Sequence, residues 1–203
     1  MFVKHILDKV FGFILLILLS PILVILSTMV KLDSRGPIIF KQKRLGKDGC
    51  IFEMYKFRTM YVDAPDLRNE DGSTFNSDDD PRVTKIGKIL RKTSLDELPQ
   101  ILNILKGEMS FIGPRPDLPD HFEIYDENDK KKLSVRPGVT GYAQANGRNN
   151  NSWAQRIEMD IFYIENYSLL LDINILFKTV YSVLRQEGVN KNLDNNGDVT
   201  EKV

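Results

Sequence analysis

The sequence predicts an α/β protein that is membrane-associated and monotopic, with an N-terminal re-entrant helix broken at Ser20-Pro21, a small β-hairpin and several amphipathic interfacial helices. Three features point there. Val10 to Val30 runs for 21 positions without a charged residue. Two runs of alternating and β-branched residues flank Gly46-Lys47-Asp48-Gly49, and stripes of helical period recur towards the C-terminus. The 203 residues suffice for one substantial domain with an appendage. They divide into a membrane segment over 1–35, a core over 36–188 and a polar tail over 189–203.

At about 1.5 Å per residue, the uncharged run as a helix would just cross a hydrocarbon core of about 30 Å. Pro21 at its midpoint argues for a return instead, because it cannot donate to the Ile17 carbonyl and crowds it. Each half is then about 15 Å long, enough to reach mid-bilayer and come back, and the Ser20 hydroxyl can satisfy the freed carbonyl. Lys4, His5 and Lys9 precede the run, and Lys31, Arg35, Lys41, Lys43 and Arg44 follow it, so both flanks carry the positive charge of a cytoplasmic side. On the residues alone a kinked spanning helix remains the alternative. A cleavable signal is disfavoured, since Leu26 to Lys31 lacks a small-x-small pattern and the run is too long.

Downstream, Ile38 to Leu45 and Ile51 to Thr59 read as the β-hairpin. Residues 63 to 82 are polar and turn-rich, a surface loop around Asp78-Asp79-Asp80, whose default state is solvated. Pro99 to Met109 has Ile101, Leu102, Leu105 and Met109 at helical spacing, with Gly107 near its end. Just before it, Ser94 and Glu97 fit a capping box. The neighbouring acids Asp96 and Glu97 also repel each other, which calls for a cation or a reaction. Further helices are expected over Pro119 to Lys132, Trp153 to Tyr167 and Asp172 to Leu184. In the last, Ile173, Leu176, Phe177, Val180 and Leu184 form one stripe, either a core face or, with Trp153, Phe162, Tyr163 and Tyr167 at headgroup level, a membrane-facing one. The tail from 189 is polar and expected to be disordered.

Lys and Arg number 28 and balance 28 acids, so no global charge draws the chain to nucleic acid. Cys50 is the only cysteine, which excludes an internal disulfide and reads as a small half-buried residue near a turn. There is no G-x-G-x-x-G, no G-x-x-x-x-G-K-[ST] and no H-E-x-x-H, and His5 and His121 are the only histidines. What abounds is basic residues beside rigid or glycine-containing backbone: Lys56 and Arg58, Arg82, Arg91, Arg115 between Pro114 and Pro116, Arg136, and Arg148 after Gly147. Guanidinium forks suit phosphate, and flanking prolines lower the entropy lost on binding. Asp160 departs from its helical stripe of Trp153, Ile157 and Ile164. It reads either as a buried partner for an arginine or as a metal or substrate ligand.

Lys56 to Met60 (KFRTM), Asp80 to Gln100, Phe111 to Pro116 (FIGPRP) and Arg136 to Asn149 together resemble the bacterial sugar transferase family. Those proteins are monotopic polyprenyl-phosphate phosphoglycosyl transferases, and the likeness extends through about residue 186. It is greatest to the smallest members, of the bacillosamine-phosphate transferase type. Tyr142 stands where many relatives have Trp. The resemblance implies that the catalytic dyad is Asp96 and Glu97. It implies substrate phosphate binding by Lys56, Arg58, Arg91, Arg115 and Arg148, a helix break at Ser20 and Pro21, and Mg²⁺ held by Glu97 and Asp96 with Asp160. The implied reaction moves a sugar 1-phosphate from a UDP-sugar, an N-acetylated hexosamine by the nearest likeness, to polyprenyl phosphate through an aspartyl-phosphosugar, releasing UMP. This would be the first membrane step of glycoconjugate assembly, at the cytoplasmic face of the bacterial inner membrane. The competing reading is a non-catalytic membrane scaffold that binds anionic lipid through the same arginines and needs neither acid.

Overall fold

A computed structural model describes residues 1–67, 80–147 and 151–184. Asp78, Asp79, Arg148 and the polar tail lie outside the described residues. The apolar run is part of a longer helix, α1 (Phe2–Asp33), with Pro21 inside it. The break expected at Ser20-Pro21 is therefore corrected to a helix that continues through the proline. The reason is local: the Ser20 hydroxyl donates to the Ile17 carbonyl at 2.7 Å, the acceptor that Pro21 leaves without an N–H. By length and composition α1 could cross a membrane, and most of it is exposed.

Both ends of α1 are nonetheless tied to the rest of the chain. Near its start, Lys4 Nζ donates to Asp172 Oδ2 at 2.7 Å, and the Ser110 hydroxyl donates to Asp8 Oδ2 at 2.7 Å. Gly12 lies against Leu105 and Ile104. Near its finish, Leu26 and Val30 join Phe57 and Leu90 in one apolar cluster, and the Ile86 N–H donates to Asp33 Oδ2 at 3.0 Å.

The hairpin forms as expected, with β1 (Ile39–Leu45) antiparallel to β2 (Ile51–Phe57), Ile39 opposite Phe57 and Leu45 opposite Ile51. Cys50, at the end of its turn, is exposed rather than half-buried. A helix the sequence did not announce follows, α2 (Lys85–Thr93), capped by the Thr84 hydroxyl, which accepts from the Gly87 N–H. Gly87 is required by proximity: a Cβ there would lie 2.1 Å from the Thr59 carbonyl oxygen.

The helix expected from Pro99 to Met109 is instead a 3₁₀ segment, Leu95–Gln100, running into the short α3 (Ile101–Lys106). After it, β3 (Ser110–Ile112) pairs in parallel with β4 (Gly138–Thr140), strands too short to show a period. Their flanking backbones nearly touch, since a Cβ on Gly138 would lie 2.1 Å from the Gly113 nitrogen. The helix expected over 119–132 is replaced by two 3₁₀ segments, Pro119–Glu123 and Asp129–Ser134. The Asp126 carboxylate accepts from the Asp129 N–H at 2.7 Å, a local turn that competes with a continuous helix.

The described residues close with α4 (Tyr142–Ala145), α5 (Trp153–Glu165) and α6 (Leu169–Leu184), the last beginning before the expected Asp172. Ile112, Tyr163 and Ile175 join β3, α5 and α6 in a second cluster, while Ile157 and Ile161 of α5 pack with Leu45, Tyr125 and Leu133. The α6 stripe is not core: Ile173, Leu176, Phe177 and Val180 are all exposed, Phe177 at 72 %. Of the aromatics expected at headgroup level, Phe162 is exposed, but Tyr163 is buried and donates to Asp172 Oδ1 at 2.7 Å. Trp153 stacks on Tyr125 instead, with ring centroids 5.8 Å apart.

Candidate active site

The end of α2 builds the site. Ser94 adopts a left-handed conformation (φ 57°), and its backbone N–H returns to the Arg91 carbonyl at 3.2 Å. The side chain makes no cap hydrogen bond, so the capping box expected from Ser94 and Glu97 does not form. With three residues per 3₁₀ turn, Leu95 and Leu98 fall on one face, and both pack against the Leu90 and Phe57 cluster. Asp96 and Glu97 are thereby turned to other faces.

Glu97 is met from two sides. Lys56, next to last in β2, donates to Glu97 Oε1 at 2.6 Å, and Arg115 Nη1 lies 3.8 Å from the same oxygen. Asp96 is 9 % exposed. Burial pushes its carboxyl above the ordinary range, Lys56 and Arg91 pull it back, and the Glu97 charge adds to the rise. Arg91, in the last turn of α2, donates from Nε to the Thr59 hydroxyl at 3.0 Å. Burial lowers its pKa while Asp96 and Asp80 oppose that. With both acids ionised, Lys56, Arg91 and Arg115 would leave an excess of positive charge, the setting a diphosphate needs.

Asn103, which sequence reasoning missed, fixes the separation of β2 and α3. It is fully buried, accepts from the Tyr55 N–H at 3.0 Å and donates to the Glu53 carbonyl at 2.7 Å. An asparagine within an apolar helical run is the signal that could have flagged it. Tyr55 adjoins Lys56, so this contact helps set where the lysine stands.

Other expected residues are directed elsewhere. Arg58 is 5 % exposed, and its guanidinium donates to the Pro37 carbonyl at 2.6 Å and the Ser34 carbonyl at 2.8 Å, with Val30 and Met60 carbonyls also in reach. It caps the C-terminal end of α1 and is not turned to the dyad. Asp160 pairs with Lys132, Oδ2 to Nζ at 3.0 Å, and is 2 % exposed. Burial raises its carboxyl to about 6 against the pull of Lys132. It fills the role of buried ion partner, though for a lysine. Arg148 lies outside the described residues. Among the described residues no group of His, Cys, Asp and Glu side chains converges as a ready-made metal cage. Arg82 is engaged with Asp80, Nη2 to Oδ2 at 2.6 Å.

Comparison with known proteins places this arrangement in context. The family model described as bacterial sugar transferase matches residues 1–186. The chain is 43 % identical over 189 residues to the sugar transferase EpsL of Bacillus subtilis, covering 93 % of this chain and 91 % of that one. It is 40 % identical over 198 residues to the undecaprenyl-phosphate galactose phosphotransferase of Salmonella typhimurium, covering 92 % of this chain and 41 % of the relative. It is 43 % identical over 186 residues to the UDP-glucose:undecaprenyl-phosphate glucose-1-phosphate transferase of Klebsiella pneumoniae, covering 88 % and 39 %. The chain thus spans well under half the length of those last two relatives.

Proposed function

Because the chain belongs to the bacterial sugar transferase family, we propose that this transferase moves a sugar 1-phosphate from a UDP-sugar to a polyprenyl phosphate at the cytoplasmic face of the bacterial inner membrane. The observation that carries the reading is the buried Asp96 beside Glu97, with Lys56, Arg91 and Arg115 gathered around the pair. Relatives named for undecaprenyl phosphate and for UDP-glucose support the two substrate classes.

Asp96, ionised, attacks the β-phosphorus of the UDP-sugar. The bond from that phosphorus to the bridging oxygen breaks, UMP leaves with the electron pair, and the phosphosugar stays on the aspartate. An oxygen of polyprenyl phosphate then attacks the same phosphorus and restores the carboxylate. Dividing the transfer lets a soluble and a lipid substrate use one site in turn. Lys56, Arg91 and Arg115 hold the charge of the transferring group, and Lys56 also orients Glu97. Asp96 and Glu97 fit Mg²⁺, which takes one or two carboxylates together with phosphate oxygens; when bound it neutralises the diphosphate. Asp160, 2 % exposed and paired through Oδ2 with Lys132 at 3.0 Å, is assigned to that buried ion pair rather than to the metal set.

The monotopic reading is supported by α1. A 32-residue helix is about 48 Å long, yet both its ends meet the same body. Between the buried Gly12 and Leu26, the turns around Ser20 and Pro21 are exposed on nearly every side. A helix that touches one body at both ends and stands clear of it around Pro21 fits a re-entrant membrane helix that turns there.

A panel of UDP-sugars, including UDP-glucose, UDP-galactose and N-acetylated hexosamines, should yield UMP with one of them and a phosphosugar adduct on Asp96 by mass spectrometry. Full activity in Asp96→Asn would sink the mechanism. For topology, Val3→Cys in a Cys50→Ser background should label from the cytoplasmic side only; labelling from the opposite side refutes the re-entrant helix.

A further inference from the structure

Arg115 approaches Glu97 from an open position, its side chain 46 % exposed and the ion pair 3.8 Å long. A long side chain held that loosely takes its aim from its backbone. On the N-terminal side the backbone is fixed by sheet contacts: the Gly113 N–H donates to the Thr140 carbonyl and the Gly138 N–H to the Pro114 carbonyl, both at 2.9 Å. On the C-terminal side, the Leu45 N–H donates to the Asp117 carbonyl at 2.9 Å, and Arg44 Nη1 donates to the Pro116 carbonyl at 3.2 Å.

The Asp117 side chain then reaches inward. It accepts from Lys132 Nζ at 2.6 Å and from the Tyr125 hydroxyl, and Lys132 continues to Asp160 Oδ2 at 3.0 Å. Lys132 is 4 % exposed. Burial pushes the Asp117 carboxyl up, but Lys132, Tyr125 and His121 outweigh it and hold it below the usual range. A buried acid–base–acid chain is a poor source of net stability, because desolvation offsets most of the attraction. Geometric definition is the use such a chain serves better, and this one begins two residues after Arg115.

We infer that Asp117 and Lys132 are positioning residues, holding the Pro114–Asp117 segment so that the Arg115 guanidinium is aimed at Glu97 and at substrate phosphate. The phosphate part rests on the transferase reading, whereas the aim at Glu97 does not. Asp117→Asn leaves Lys132 and Asp160 as a balanced pair, so the variant should fold; if it does not, Tyr125→Phe removes one bond to the same carboxylate and takes its place.

The test is a double-mutant cycle on UMP release. Asp117→Asn should lower kcat/KM about tenfold in the natural background but less than about twofold in an Arg115→Lys background, where the fork to be aimed is already gone. Equal losses in both backgrounds would mean general loosening and overturn the inference. Crystal structures of the natural protein and Asp117→Asn separate this from the transferase reading. An Arg115 guanidinium withdrawn from Glu97 supports the positioning role, and an unmoved one overturns it whether or not the protein releases UMP. Absence of UMP from every UDP-sugar overturns the transferase reading alone, and the structural comparison still decides the role of Asp117.

Discussion

At the scale of single residues, Asp96 meets opposing demands. As the proposed nucleophile it has to be ionised to attack phosphorus, yet burial raises its pKa above the ordinary carboxylate range. The sign of the consequence is fixed: activity falls as pH drops, and it begins to fall at a pH above that of a free aspartate, about 4. A kcat/KM profile for UMP release should show this acidic limb, and raising Mg²⁺ should move it to lower pH, since a bound cation favours the charged form. A limb at the free-aspartate value with no response to Mg²⁺ would count against Asp96 as the buried nucleophile. The pair Asp96 and Glu97 stood out in the sequence because adjacent acids repel and call for a cation or a reaction, and Lys56 lies close to both in the structure. The fate of Arg58 was not legible, because beside Lys56 nothing in its neighbours distinguishes a phosphate ligand from a cap on the carbonyls of a helix far earlier in the chain. Lys132 was hidden likewise, one of a run of lysines that reads as a solvated face.

Among elements, legibility followed length. The hairpin and α5 were read nearly to their ends, since each shows its period over several residues. β3, β4 and the 3₁₀ segments were missed or misread, as three to six residues carry no period, and backbone proximity rather than pattern sets them. Gly87 illustrates this, for its glycine reads as a weak point in a helix when it is the contact that seats α2 on Thr59. Gly87→Ala should destabilise the protein by about 2 kcal/mol or more through overpacking against backbone that cannot yield, visible as a lowered Tm. Because Arg91 bonds Thr59 across the same contact, UMP release should drop as well; an unchanged Tm would show that α2 can shift freely.

For the molecule as a whole, exposed apolar surface is the dominant feature. Alongside the flank of α1, the α6 residues Leu170, Ile173, Leu176, Phe177 and Val180 stand in the open. A patch of this kind on a water-soluble protein would be a liability, but on a membrane surface it is contact area. Leu176→Asp with Phe177→Asp should weaken co-sedimentation with vesicles by at least about tenfold, given about 1.5–3 kcal/mol per buried large apolar side chain, while leaving the fold intact. Unchanged partitioning would assign this face to another surface. The sequence allowed the stripe to be either core or interface, because periodicity marks which residues share a face but not what covers it. The pairing of Lys4 with Asp172 carries a further consequence, for the order in which the protein is made. The two residues are 168 positions apart, so at about 5–20 residues per second the carboxylate leaves the ribosome roughly ten to thirty seconds after its lysine. During that interval Phe57, Leu90 and Ser110 are already made and can meet the N-terminal helix, but the partner of Lys4 is not. Until then the Lys4 side chain stays in water or among lipid headgroups, and α6 fastens the start of α1 only once Asp172 has emerged.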